Sequence, residues 1–148
     1  MLVHKVTPIL NVSNVPASIA WFEKLGWGCN FTWNDRGMIK HAAPRNEHGD
    51  AGFAGISAGM AEIFLCHDGQ GSRGGPSPRH TSGDDTGGVW MSWWLSSPAE
   101  VDATHARAVE LGYEIARPPK TEPWGIREFH LVHPDGHTFR ISAGAGDE

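Results

Sequence analysis

The sequence is short of cysteine, of long apolar runs and of basic residues, and each shortage excludes a class of protein. Its two cysteines, Cys29 and Cys66, cannot form a disulfide framework, so a reduced cytoplasmic setting is expected. No apolar run approaches the roughly 18 residues of a membrane span, and MLVHKVTPILNV lacks the long apolar segment of a signal peptide. The 12 lysines and arginines are outnumbered by 17 acidic residues, which argues against nucleic acid as a partner and favours a cationic small molecule.

Tryptophan and glycine are in excess, at seven and 19 residues in a chain of 148. That length fits one domain or two small half-domains with a shared core. Three of the tryptophans fall within five positions of the stretch VWMSWWLSS, residues 89–97. Neighbouring side chains of a strand point to opposite faces, so Trp93 is predicted to face a core while Trp90 and Trp94 face the other side.

Two stretches repeat one pattern, VPASIAWFEKLGW at residues 15–27 and VDATHARAVELGY at residues 101–113. In each, the residues that face inward recur at helical spacing, and the stretch ends in Leu-Gly followed by an aromatic residue. The chain is therefore expected to contain a duplicated half, with one helix in each copy.

Capping residues mark the ends of both predicted helices. Ser13 or Asn14 can cap the first helix, and Ser97, which precedes a proline, can cap the second. Gly26 and Gly112 follow the last apolar turns, where a left-handed backbone is expected.

Strand-like runs surround each helix, one before it and three after it, at residues 5–12, 27–33, 51–57 and 61–67, and again at residues 89–95, 113–118, 127–133 and 138–143. Each half is thus a βαβββ module, and the fold class is α+β. We place the first module at residues 1–66 and the second at residues 89–148. Residues 67–88 form a Gly/Ser/Pro-rich linker, and residues 34–51 a polar loop.

The pieces VSNVPASIAWFEKLGW and EPWGIREFHLVHPDGHTFRIS resemble the vicinal-oxygen-chelate superfamily, which includes glyoxalase I, extradiol dioxygenases and bleomycin resistance proteins. The resemblance covers nearly the whole chain, and PWGIREFHLVHPDG is most similar to the bleomycin-resistance branch. It implies that each module is a cupped sheet with its helix outside. It also implies a domain-swapped or interlocked homodimer with ligand grooves at the interface.

The resemblance also indicates where metal enzymes of this superfamily hold their ion. Those positions fall on side chains that are poor ligands for a divalent ion: Thr7, Phe64, Trp90 and Arg140. A shift of one residue would instead bring Glu62 or His130 into the cup. We expect no metal and no other cofactor.

A histidine motif, His130-x-x-His133-x-x-x-His137, is the other candidate for a zinc site. A Pro-Asp-Gly turn separates His133 from His137, and we expect such a turn to scatter the side chains. No nucleophile elbow or phosphate-binding loop is present in the sequence. No catalytic residue is therefore assigned.

The remaining aromatic residues indicate a ligand groove. Trp21, Trp27 and Trp93 are expected to pack in the core, whereas Trp124 lies in a Pro-Trp-Gly loop with little to pack against. The resemblance makes residues of the second strand an aromatic wall. The predicted ligand-binding residues are Phe31, Trp33, Phe64, Trp90, Trp94, Trp124 and Arg140.

These observations favour stoichiometric capture of a planar aromatic antibiotic by a protein that is not an enzyme. The resemblance points to a bleomycin-type drug, whose bithiazole would stack on the aromatic wall and whose cationic tail suits the acidic chain. A metal-dependent lyase or dioxygenase of the glyoxalase type is the alternative. A third possibility is sequestration of another planar natural product, such as a quinone or an enediyne.

Overall fold

The fold consists of two compact units, Met1–Ser72 and Arg73–Glu148. The structure is a computed structural model that describes residues 1–34, 37–39, 51–74 and 87–146. Its elements are, in chain order, β1 (Ile9–Val12), α1 (Val15–Glu23), β2 (Gly28–Asn34), β3 (Gly37–Ile39), β4 (Phe53–Ala58), β5 (Ala61–His67), β6 (Trp90–Trp94), α2 (Pro98–Glu110), β7 (Glu114–Thr121), β8 (Ile126–Val132) and β9 (Thr138–Gly144). This is the predicted α+β architecture of two βαβββ modules, with one further strand in the first.

Both helices begin at predicted capping residues, and their last residues are followed by Lys24 and Leu111 as C-caps. The Asn14 side chain accepts a hydrogen bond from the Ala17 N–H, and the Ser97 hydroxyl accepts one from the Glu100 N–H. Beyond the last turns, Gly26 and Gly112 adopt φ angles of 107° and 75°. In the described ranges, no helix has the length and apolar character needed to cross a membrane.

The first sheet has the strand order β1-β5-β4-β2-β3, and β1 runs parallel to β5. Alternate residues of β1, β4 and β5 form an apolar face that lies under α1 and is almost fully buried: Leu10, Val12, Ala54, Ile56, Ile63 and Leu65. The helix contributes Val15, Ile19 and Phe22, each with no exposed surface. Burial of this stripe holds α1 on the sheet.

Two details of the first sheet correct the sequence prediction. Residues 37–39, assigned to a polar loop, form the short strand β3, which pairs antiparallel with β2. Strand β1 begins at Ile9, not at residue 5, because Pro8 has no N–H to donate and only its carbonyl joins the ladder, accepting from Phe64. The other parts of the predicted loop and linker, residues 35–36, 40–50 and 75–86, lie outside the described residues.

The second sheet has the order β6-β9-β8-β7, with β6 parallel to β9. Its apolar face is fully buried and consists of Phe129, Leu131, Phe139, Ile141 and Ala143. The His105 ring of α2 meets the Phe129 ring edge-on at 5.2 Å, which identifies this face as the one under the helix.

The three tryptophans that were predicted to pack do so. Trp21 and Trp27 are 8% and 7% exposed, and both contact the Phe22 ring, at centroid distances of 4.9 and 5.5 Å. Trp93 stacks on Phe139 at 4.5 Å, on the helix side of the second sheet. The parity argument for β6 is therefore confirmed for Trp93.

Three glycines allow backbone segments to cross closely where the second unit begins. Gly74 and Gly87 form an isolated antiparallel bridge. A Cβ at Gly74 would collide with the Gly136 carbonyl oxygen, and one at Gly88 would lie 2.7 Å from the same atom. Glycine is required at positions 74 and 88 because a side chain there would push the crossing segments apart, and at position 87 because its φ of 67° is left-handed.

Candidate functional site

Each sheet has a near face, packed on the helix of its own unit, and a far face that points away from that helix. Cross-strand register identifies the far-face residues, because directly paired residues project to the same side. In the first unit, Gly55 pairs with Phe31 on one side and with Phe64 on the other. Trp33 pairs with Phe53, two residues further along the same two strands. All five residues belong to the first far face.

Three phenylalanines form a continuous aromatic floor on the first far face. The centroids of Phe31 and Phe64 lie 5.7 Å apart, those of Phe53 and Phe64 5.3 Å, and those of Phe31 and Phe53 6.2 Å. The Phe31 ring lies directly over Gly55, where a Cβ would collide with it. A glycine inside a strand is unfavourable unless something approaches closely, and here it makes room for the ring. Rings at these spacings and angles stabilise each other and leave their outer surface available to a planar ligand.

The structure brings together the predicted residues Phe31, Trp33 and Phe64, and it adds Phe53. Trp33 is 45% exposed at the edge of the aromatic floor. Sequence reasoning missed Phe53, although the pattern Phe53-x-Gly55 carries a signal, since both residues have the same strand parity.

A polar row borders the aromatic floor. Ser57 pairs with Glu62, two residues along the strands from the Gly55–Phe64 pair and on the same face. The Ser57 hydroxyl donates to the Asn30 side-chain oxygen at 3.0 Å, and the Asn30 amide donates to Glu62 at 3.3 Å. Glu62 also accepts from the Lys5 ammonium at 2.6 Å and from the Thr7 hydroxyl at 3.4 Å. The hydrogen bond from Lys5 is the main reason that the pKa of Glu62 lies below its ordinary value.

The second far face contains Trp90, Trp94 and Arg140. Their strands are in register, so that Trp90 pairs with Thr138 and Trp94 with Ser142, while Arg140 pairs with His130 on β8. The His130 ring meets Trp90 edge-on, with centroids 5.5 Å apart. Trp94 is 64% exposed. Trp90 and Trp94 thus face away from Trp93, as their parity predicts.

A charged pair lies beside these rings. The Arg140 guanidinium donates twice to one carboxylate oxygen of Glu128, at 2.7 and 3.2 Å, and the Ser142 hydroxyl approaches the same oxygen at 3.4 Å. Glu128 is 4% exposed, whereas the Arg140 side chain keeps 37% of its surface. Glu128 therefore orients Arg140, and Arg140 presents the charge. Sequence reasoning missed Glu128, because only the β8–β9 register reveals the pairing.

Trp124 lies apart from the strand residues. It occupies the turn between β7 and β8, where Gly125 has a φ of 83°, and it is 62% exposed. The geometry agrees with the expectation that Trp124 has little to pack against. Its role in ligand binding stays a prediction.

His133 and His137 hold the turn that joins β8 to β9. Their rings lie 5.5 Å apart and are buried, so the turn brings them together, and the expectation that it scatters them is wrong. The reason is that the His133 N–H donates to the His137 carbonyl, which closes the hairpin. Each Nδ1 accepts a backbone hydrogen bond, from Asp135 for His133 and from Val89 for His137. Both rings therefore stabilise the backbone of this turn and of the start of β6.

The residues of the far faces do not fit a divalent metal ion. The carboxylate of Glu128 is already occupied by a permanent cation, because the Arg140 guanidinium lies 2.7 Å from one of its oxygens. The Ser142 hydroxyl approaches the same oxygen. Glu62 and His130 do point to the far faces, but each is engaged within its own unit, Glu62 with Lys5 and His130 with the Trp90 ring. In the described part of the chain, no three His, Cys, Asp or Glu side chains are gathered as ligands.

Two βαβββ modules, each with a helix on one side of its sheet and a chemically distinct face on the other, define a fold that is shared by enzymes and by binding proteins. The chain belongs to the Glyoxalase/Bleomycin resistance protein/Dioxygenase superfamily, whose sequence profile matches residues 2–141. No curated protein matches the chain.

Solved structures share this fold at low sequence identity. The bleomycin resistance determinant encoded on transposon Tn5 is 19% identical, with a TM-score of 0.62 over 96% of this chain and 98% of that one. A bleomycin-binding protein complexed with bleomycin is 17% identical, with a TM-score of 0.61 over 96% and 99%. The lactoylglutathione lyase of Agrobacterium tumefaciens is 14% identical, with a TM-score of 0.62 over 97% and 96%. The neighbours thus include both binding proteins and an enzyme.

Proposed function

We propose that this protein binds a planar aromatic natural product of the bleomycin type and sequesters it without converting it. The aromatic floor of Phe31, Phe53 and Phe64 over Gly55 carries the proposal, because it offers a continuous ring surface on which a planar ligand can stack. Trp90 beside the Arg140–Glu128 pair offers a second ring with a charged neighbour. The formal net charge of -5 favours a ligand with a cationic part.

Calorimetric titration of the metal-free protein with bleomycin, with a naphthoquinone and with an enediyne tests this proposal. We expect bleomycin to bind with a stoichiometry of one or less per chain and to be recovered unchanged. Stoichiometric zinc, iron or nickel held on a far face, or turnover of a hemithioacetal substrate, would instead support a metal-dependent lyase.

Two substitutions examine the aromatic surfaces separately. Trp90→Ala is expected to weaken bleomycin binding by about 1 to 3 kcal/mol, the range for loss of an aromatic anchor. Gly55→Ala should weaken it by displacing the Phe31 ring. Val109→Ala is the matched control, since Val109 is 55% exposed on α2 and lies on neither far face. Equal affinity in all three variants would contradict the assignment of the site.

The proposal includes a homodimer, which the resemblance to bleomycin resistance proteins implies. In the described ranges, β1 and β3 border the first sheet and β6 and β7 the second, so strand edges are available for pairing. We expect sedimentation velocity at micromolar concentration to give a dimer. A monomer that binds bleomycin with full affinity would contradict it.

A further inference from the structure

The ion pair between Lys5 and Glu62 has the geometry of a site in which one partner can be exchanged. Glu62 is fixed on β5, whereas Lys5 lies in residues 1–8, which precede β1 and belong to no helix or strand. The Lys5 side chain is 53% exposed and that of Glu62 only 19%. An ion pair with such an exposed lysine contributes little stability, so its separation costs little.

Glu62 would stay in position without Lys5. The Asn30 amide donates to one of its oxygens, and Asn30 is itself oriented by the Ser57 hydroxyl. The Thr7 hydroxyl approaches the other oxygen, the one that accepts from Lys5. A carboxylate that neutral donors hold in place is prepared to receive a cation.

The carboxylate is also next to the aromatic floor. Glu62 and Phe64 are two residues apart on one face of β5, a separation of about 7 Å between their Cα atoms. A ring stacked on Phe64 could therefore carry a short ammonium-bearing arm to Glu62. The arrangement combines ring surface, a fixed anion and a removable cation within one unit.

We infer that Glu62 forms the subsite for the cationic group of the ligand, and that the Lys5 ammonium occupies this subsite until a ligand ammonium replaces it. The inference rests on the proposed function and specifies the ligand class, namely a planar ring with a protonated amine on a short arm. No covalent step is involved, because one ammonium exchanges for another on the same carboxylate.

The experiment uses two probes with the same ring and arm, 1-naphthylmethylamine, which ends in an ammonium at pH 7, and 1-naphthylmethanol, which ends in a neutral hydroxyl. Binding of the alcohol reports on the aromatic floor alone. The ratio of the two dissociation constants, amine to alcohol, reports on the cation subsite. Calorimetry would compare wild type with Glu62→Gln and Lys5→Met. Lys120→Met is the matched control, because it removes the same charge from an exposed side chain of the second unit.

In wild type we expect the amine to bind about threefold more tightly than the alcohol, as suits one partly exposed charge pair. Glu62→Gln should abolish that preference. Lys5→Met should tighten amine binding by about three- to fivefold and leave alcohol binding unchanged, because the competing ammonium is gone. Lys120→Met should behave as wild type.

Three results would overturn the inference. One is a preference for the amine that persists in Glu62→Gln, and another is amine binding that Lys5→Met weakens or leaves unchanged. In either case alcohol binding would still support the aromatic floor, so the two proposals fail separately. The third result is failure of both probes to bind any variant, which would remove the floor together with the subsite. If Glu62→Gln folds poorly, Lys5→Met still tests the inference, because Lys5 is exposed and its replacement is expected to leave the fold intact.

Discussion

Replacing Trp93 by alanine is expected to lower the free energy of unfolding by about 3 kcal/mol, at the lower end of the range for a large aromatic residue, because Trp93 is half-buried. The Trp93 ring stacks on Phe139 at 4.5 Å with an interplanar angle of 21°, and Phe139 is fully buried on the helix side of the sheet. Alanine would remove the stacked ring and leave a gap that the edge strand β6 cannot close. Urea denaturation measures the loss.

Trp94→Ala is the matched control for this prediction. It removes the same side chain from the next position of the same strand, but Trp94 is 64% exposed and points to the far face. Its effect on stability should stay within about 0.5 kcal/mol, as for other surface substitutions. If Trp94→Ala were the more destabilising variant, the two faces of β6 would be inverted and the second far face would be misassigned.

Acid is expected to destabilise the protein through His133, by about 3 kcal/mol between neutral pH and pH 4. Burial of the ring, with a smaller contribution from His137, lowers the pKa of His133 to about 3, although Asp135 acts in the opposite direction. In the unfolded chain this histidine titrates near its ordinary value of 6.5. Between these two pH values the unfolded state binds a proton that the folded state does not. Stability is therefore fully present above pH 6.5 and falls as the pH drops towards 3.

The variant His133→Asn separates this effect from the acid sensitivity of the carboxylates. Its side-chain oxygen can still accept from the Asp135 N–H, as the His133 Nδ1 does, but it has no proton to gain. Denaturation midpoints recorded from pH 7 to pH 4 should fall more steeply for wild type than for the variant. Parallel profiles would show that His133 does not control the acid response. The protonation of Glu62 as the pH falls contributes equally to both proteins, so it cancels in the comparison.

The charged groups of the two far faces differ in how firmly they are held, and this bears on what each could bind. Glu128 is buried and bonded twice by Arg140, so their separation would leave a buried charge and is costly. Glu62 is more exposed, and its cation comes from the segment that precedes β1 and belongs to no helix or strand. The Glu128–Arg140 pair is therefore suited to holding the guanidinium in a fixed position. The Lys5–Glu62 pair is suited to the exchange of one cation for another.

The sequence by itself determined the elements of this fold and their order. Asn14, Ser97, Gly26 and Gly112 define the helix ends through interactions that span only a few residues, so a local pattern was sufficient. Parity along β6 likewise separated Trp93 from its neighbours, because alternation is a property of a single strand. A run of three residues such as β3 is too short for any such pattern, and its strand character comes only from pairing with β2.

Only the tertiary structure decided which side chains meet across strands. The contacts of Phe53 with Phe31, of Glu128 with Arg140 and of Lys5 with Glu62 join residues 22, 12 and 57 positions apart in the chain. The first two depend on strand register, because a shift of one residue would turn the side chains of the shifted strand to the opposite face. The third depends on how the segment that precedes β1 lies against β5. Register is fixed by the buried near faces of both sheets as a whole, which no local stretch of sequence encodes. Packing of the near faces against the helices therefore fixes the register that brings the far-face residues of the candidate site together.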